Sequence, residues 1–195
     1  MPSVSCPGIA RDAFVNCLKP MSAGVKDSFL YLFNYAELAS ITEDVSNPNL
    51  LTNFTLAALA KIYRYEGKNN SIAPKANLNK QTFAEVWDHS LDYLVFDNTA
   101  AIKQDLDFLK SGRVIAIVEN NYYGSDGATA FEIYGLRAGL ILTVAARDVN
   151  SQENQGAYAL TLASSELAKE PYLPATLWDT DYATTKAIIA AYFTA

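Results

Sequence analysis

Reactive and metal-binding side chains are scarce in this chain, which has two cysteines and one histidine in 195 residues. Cys6 and Cys17 are too few for a disulfide scaffold and lack the paired spacing of a zinc site, so both read as reduced thiols. Any Ser-His-Asp or Cys-His arrangement would have to use His89, and no serine stands in a Gly-x-Ser-x-Gly elbow. The expected place for His89 is a strand position half open to solvent. Charge is sparse as well, at 18% of residues, and acids exceed bases by 21 to 15 for a net charge of -6. That balance opposes tight binding to phosphate backbones, which draws its affinity from Lys and Arg. It does not oppose loose enclosure of DNA, because a conduit must avoid gripping its cargo. Apolar runs such as Gly139 to Ala146 fall far short of the roughly 20 residues of a spanning helix. Met1 to Lys19 has no cationic stretch leading into an apolar one. The expectation is therefore cytoplasmic synthesis and no membrane partner.

What is abundant is apolar and aromatic surface, 50% and 12% of residues, enough for one sizeable core. Pro2 to Gly24 has no sustained period and reads as an N-terminal arm over residues 1–24. Phe29 to Tyr35 reads as an aromatic strand, and Ile41 to Asp44 as a second one closed by the Ser46-Asn-Pro-Asn49 turn in a hairpin. Alternation of Phe54, Leu56, Ala58, Ala60 and Ile62 predicts one strand from Leu51 to Glu66. Gly67 to Lys80, almost all Gly, Asn, Ser, Pro, Lys and Ala, reads as a long polar loop. Phe83, Trp87, Leu91, Tyr93 and Val95 then share one parity in an extended segment, so the loop and its flanks suggest a projecting hairpin.

One helix is well marked, capped by Asp97 or Asn98, with Ile102, Leu106 and Leu109 on one face and Gly112 at its end. Strands follow at Arg113 to Glu119, Thr129 to Tyr134, Leu140 to Val144 and Tyr158 to Leu162, the first two joined at an Asp126-Gly127 turn. Residues 179–195 read as a C-terminal helix or arm docked through Tyr182, Ile188, Ile189 and Tyr192. The fold expected is mainly β, a sandwich or barrel over residues 25–178 with one flanking α-helix, a long hairpin loop and terminal arms.

Chemistry finds little to use. Asp148 to Gln152 lacks the turn glycine and terminal Glu of a calcium loop. Gly135-Leu-Arg-Ala-Gly139 lacks the Gly-Lys-Ser/Thr element of a phosphate loop and reads as a β turn. Asp179 and Asp181, or Asp105 and Asp107, read as solvated acids. The chain is thus expected to be no enzyme and to take no metal or cofactor. Tyr122 and Tyr123, beside the Asp-Gly turn, could form a sugar-binding platform, which makes a surface-decoration or carbohydrate-binding module the alternative.

The element order resembles the tail-tube family of tailed phages and the tubes of related contractile injection systems. Leu30-Tyr-Leu-Phe33, Leu91 to Asp97, Arg113 to Asn121, Phe131 to Gly135, Arg147 to Asn150, Gly156 to Leu162 and Glu170 to Pro174 are similar to virion proteins of phages infecting Bacteroidetes. The resemblance implies a structural virion protein forming stacked hexameric rings around a lumen through which DNA passes without specific binding. It also implies contact with other virion proteins. By the same resemblance the polar loop (Gly67, Lys68, Asn69, Asn70, Ile72, Pro74, Lys75) and the arms (Phe14, Tyr192) would meet neighbouring subunits.

Overall fold

The structure is a computed structural model and describes residues 12–13, 23–26 and 29–193. Most of the expected N-terminal arm, with Phe14, Cys6 and Cys17, lies outside the described residues. The chain is mainly β, with eleven strands in one mixed sheet and two α-helices among the described residues.

Two strands form the middle of the molecule, β1 (Leu30–Asn34) and β7 (Val114–Glu119), antiparallel to each other. Every residue of β7 is buried, as are the first four of β1. A strand covered on both faces needs an unbroken apolar run, which both segments supply. On one face Leu30, Leu32, Val114, Ala116 and Val118 meet Leu91, Tyr93, Leu160 and Leu162. On the other, Tyr31, Phe33, Ile115 and Ile117 meet Phe54, Phe131, Leu177 and Ile189. Each fully buried side chain of this kind contributes about 1.5–3 kcal/mol.

The remaining strands extend from this centre in two limbs. One runs from β7 through β8 (Phe131–Tyr134), β11 (Ala175–Leu177) and β3 (Asn47–Leu56) to β2 (Leu38–Asp44), while β4 (Tyr63–Tyr65) lies beyond β1. The other contains β9 (Leu140–Arg147), β10 (Tyr158–Ser164), β6 (Glu85–Val95) and β5 (Ile72–Lys80), and joins β7 only where Val114 meets Leu140. The limbs pack on opposite faces of β1 and β7, layered as in a β-sandwich, and the sheet does not close into a barrel: its path ends at β2 and β5. Helix α1 (Ala100–Leu109) covers the second core through Ile102, Leu106 and Leu109, and α2 (Tyr182–Ala190) covers the first through Ile189.

The flanking helix, the C-terminal helix and the pairing of β2 with β3 match the sequence reading, although that hairpin turns at Val45 and Ser46, and Asn47 to Asn49, read as its turn, already belong to β3. Five further details differ. Leu51 to Glu66 is two strands: the chain turns at Ala57 to Ala60, with Leu59 at φ 68 and exposed, because Ala57 N–H is taken by Glu37 O and Ile62 N–H by Tyr192 O. The cap of α1 is Thr99, whose Oγ1 accepts from Ile102 N–H, while Asp97 accepts one step earlier from Thr99 N–H. Asp126-Gly127 is no two-residue turn, since the whole segment 120–130 connects β7 to β8. Five strands follow α1, the extra one being β11, whose three residues are too short to show a period. Finally, most of the supposed polar loop is strand β5, paired along its length with β6.

Candidate subunit interface

Strand β5 forms one end of the sheet. Asn69 and Asn70, both with positive φ, make a tight turn closed by Ser71 N–H to Lys68 O at 3.1 Å, and the strand begins at once. Leu94 N–H donates to Ser71 O, and His89 N–H turns the other way to Ser164 Oγ. Alternation of an antiparallel ladder then directs the backbone groups of Ile72, Pro74, Ala76, Leu78 and Lys80 away from β6. Pro74, which has no N–H to give, occupies one of these outward positions, where proline does no harm. The edge from Ala76 to Lys80 keeps its donors.

Beyond this stretch the β5–β6 hairpin turns at Gln81 to Ala84, with Phe83 99% exposed and Leu78 49% exposed. The projecting hairpin is therefore real, but its tip is Phe83 and its first arm is the segment read as loop. Of the expected contact residues, Lys68, Asn69, Asn70 and Lys75 are exposed, and Pro74 is half-buried. Ile72 and Gly67 are buried, Ile72 inside the second core. Tyr192 packs its ring on Phe54 of its own chain, 5.8 Å between centroids.

At the far end of the sheet, β2 pairs among the described residues with β3 alone, through a register broken by bulges at Ser40, Glu43 and Asp44. The two edges carry charges of opposite sign, Glu43 and Asp44 on β2 and Lys75 and Lys80 on β5, but Glu43 pairs with Arg137, Lys75 with Asp92 and Lys80 with Glu85 inside the chain. The β2–β3 tip again presents a bare apolar residue, Val45.

Lys26 and helix α2 are held to the body by a polar cluster around Glu119, the last residue of β7 and itself buried. Its Oε1 accepts from Tyr123 OH at 2.6 Å, Tyr182 OH at 2.7 Å and Lys26 Nζ at 3.0 Å, and Oε2 from Lys186 Nζ at 3.4 Å. Burial alone would push this carboxyl up, but those hydrogen bonds and the Lys186 charge hold it below the usual carboxylate range. Tyr123 stacks on Tyr182 at 4.9 Å and also bonds Lys26. Tyr123 is thus committed to the network, while Tyr122 lines a separate open groove of about 780 Å³ with Asn120, Pro74 and Glu132. The expected two-tyrosine platform is divided between two environments.

No protein-family model, curated protein or solved structure matches the chain.

His89 is buried, not half-exposed. Its Nδ1 accepts from Gly135 N–H at 3.2 Å, so Nε2 carries the proton and donates to Tyr172 O at 3.0 Å. Glu170, also buried, accepts from Arg137 and Ala138 N–H in the same turn. Imidazole and carboxylate together thus fix the β8–β9 turn from inside, and the carboxylate occupies the concavity that a phosphate would need. Burial lowers the His89 pKa from its ordinary 6.5 to about 4, against smaller opposing effects of the Tyr172 carbonyl and Asp88. A depressed histidine contributes stability above the unfolded value that is lost as pH falls toward the folded one, here between about 6.5 and 4. The full effect is on the order of 3 kcal/mol. Because the chain has one histidine, its imidazole proton resonances are unambiguous: they should show a neutral ring at pH 6 and a midpoint near 4. A midpoint near 6.5 would mean the ring is hydrated.

Among the described residues no group of three His, Cys, Asp or Glu side chains could hold a metal ion, and no helix is long and apolar enough to cross a membrane. Sequence reasoning missed Glu119 and Glu170. A signal for Glu119 existed: it shares parity with Ile115 and Ile117 on a strand buried on both faces, where an acid must find partners. Glu170 follows no period and had none.

Proposed function

We propose that this protein is a structural subunit that joins copies of itself edge to edge in closed rings, and that it serves as a tail-tube protein of a phage or related injection system. The observation that carries this reading is a sheet whose path ends, among the described residues, in two strands paired on one side only, β2 and β5. Unpaired edges are an aggregation hazard unless something covers them. A head-to-tail contact between unlike edges repeats from copy to copy, and it yields a ring when the rotation closes and a filament when it does not. The bare apolar tips Val45 and Phe83 supply further surface that assembly would bury. On this reading the rings are hexameric and stack around a lumen that conducts DNA in the virion, with other virion proteins at the tube ends. The net charge of -6 suits a wall that must not bind its cargo.

Electron microscopy of the purified protein across a concentration series tests the reading, with rings or tubes expected. Ala76→Pro removes an outward N–H of β5 and leaves the β6 ladder intact. It should abolish assembly while changing monomer stability by no more than about 1 kcal/mol. Monomers at every concentration, or rings undisturbed by Ala76→Pro, would remove the edge-pairing reading.

A further inference from the structure

Between α1, β1 and β4 lies a cavity of about 180 Å³ that neither the core nor the sheet edges explain. Three aromatic residues line it, Tyr63 and Tyr65 from β4 and Phe108 from α1, beside Leu32 of β1; the Phe33 ring lies on the opposite face of β1, stacked on Phe54 in the first core. Asp105 lines it as well, and among the described residues it is the only charged side chain that does. Chain geometry explains the convergence. Tyr63 and Tyr65, two apart on a strand, share a face, and Asp105 and Phe108, three apart on a helix, share another. Arg64, between the tyrosines, goes to the opposite face of β4, where its guanidinium lies 4.7 Å from the Phe193 ring centre and 5.4 Å from that of Phe29. The cation nearest in sequence is therefore turned away from the cavity.

Ring faces are electron-rich, and a set of them closed by one carboxylate favours an organic cation. At about 180 Å³ the cavity is smaller than the roughly 300 Å³ at which drug-sized ligands begin, so it suits a head group of a few heavy atoms. Methylation suits it further, since a quaternary ammonium is weakly hydrated and loses little on entering an aromatic site. Phe108 is 67% exposed and Tyr63 49% exposed, so apolar ring surface now faces water at the mouth and would be covered by a ligand. The Asp105 charge reaches into the site: the Tyr65 hydroxyl is pushed up first by burial and then by that carboxylate. We propose that this cage of Tyr63, Tyr65, Phe108 and Asp105 binds a small quaternary ammonium compound. The inference is independent of self-assembly.

Saturation-transfer NMR on the ligand tests it and works whether the protein is a monomer or a ring. Choline chloride should show saturable transfer to its N-methyl protons, and the uncharged isostere 3,3-dimethylbutan-1-ol transfer at least about tenfold weaker. Asp105→Asn and Phe108→Ala should each raise the choline dissociation constant about 5–10-fold, and Phe108→Tyr should restore most of the loss. Both residues are exposed on α1, so the variants keep the fold. Absence of saturable transfer, equal binding of the neutral isostere, or indifference to both variants would overturn the proposal.

Discussion

Glu119→Ala is expected to destabilise the protein by about 3 kcal/mol and to lower its melting temperature by roughly 10 °C in scanning calorimetry. The substitution leaves the hydroxyls of Tyr123 and Tyr182 without their acceptor and opens a hole under the two stacked rings. Lys26 and Lys186 contribute less, since their side chains are 41% and 42% exposed and can return to water. Glu119→Gln keeps an acceptor oxygen and should fall between the two. The pH dependence has a definite sign. A carboxyl whose folded pKa is depressed gives stability that is present above its ordinary 4.5 and lost as pH falls through the folded value. The gap between wild type and Glu119→Ala should therefore narrow in strongly acidic buffer, leaving the part due to the lost packing. A loss below about 1 kcal/mol at neutral pH would show that water, and not the carboxylate, satisfies these donors.

Gly127→Val is expected to release α2 from the body. Gly127 has φ +85, and a Cβ there would stand 2.6 Å from Tyr182 Cβ and 2.9 Å from its Cα, so the start of the helix must move. A β-branched residue at that φ adds strain of about 1–3 kcal/mol of its own. Hydrogen exchange should accelerate across Tyr182–Ala190, while the β7 amides keep their protection. Displacing Tyr182 also removes a donor to Glu119, so the two substitutions should couple: the double variant should lose at least about 1 kcal/mol less than the sum of the singles. Additive losses would place helix docking and the Glu119 cluster on separate footings.

These two sites also mark how far the sequence carries. Alternation placed β6 and β10, because a half-buried strand's burial pattern is written in its own parity, while aromatic density placed β1 and β-branched composition placed β7. The Ile102, Leu106 and Leu109 spacing placed α1 for the same reason. Strand β5 was misread because its composition is that of a loop; yet Ile72, Pro74, Ala76 and Leu78 do alternate with Lys75, Asn77 and Asn79, and pairing with β6 supplies the stability that its residues lack. Leu51 to Glu66 failed in the opposite way, since a good local period was broken by backbone bonds to Glu37 and Tyr192 that no local pattern encodes.

The sequence by itself determined the β class, the single marked helix and the lack of a phosphate-binding or nucleophile motif, because composition and period are properties of neighbours along the chain. The tertiary structure alone decided which acids are buried and paired, that His89 lies inside a clamp, which strands are left as edges, and that Tyr63, Tyr65 and Phe108 meet at Asp105. Each of those depends on residues tens of positions apart arriving at one point, and that arrival follows from the packing of both limbs against β1 and β7.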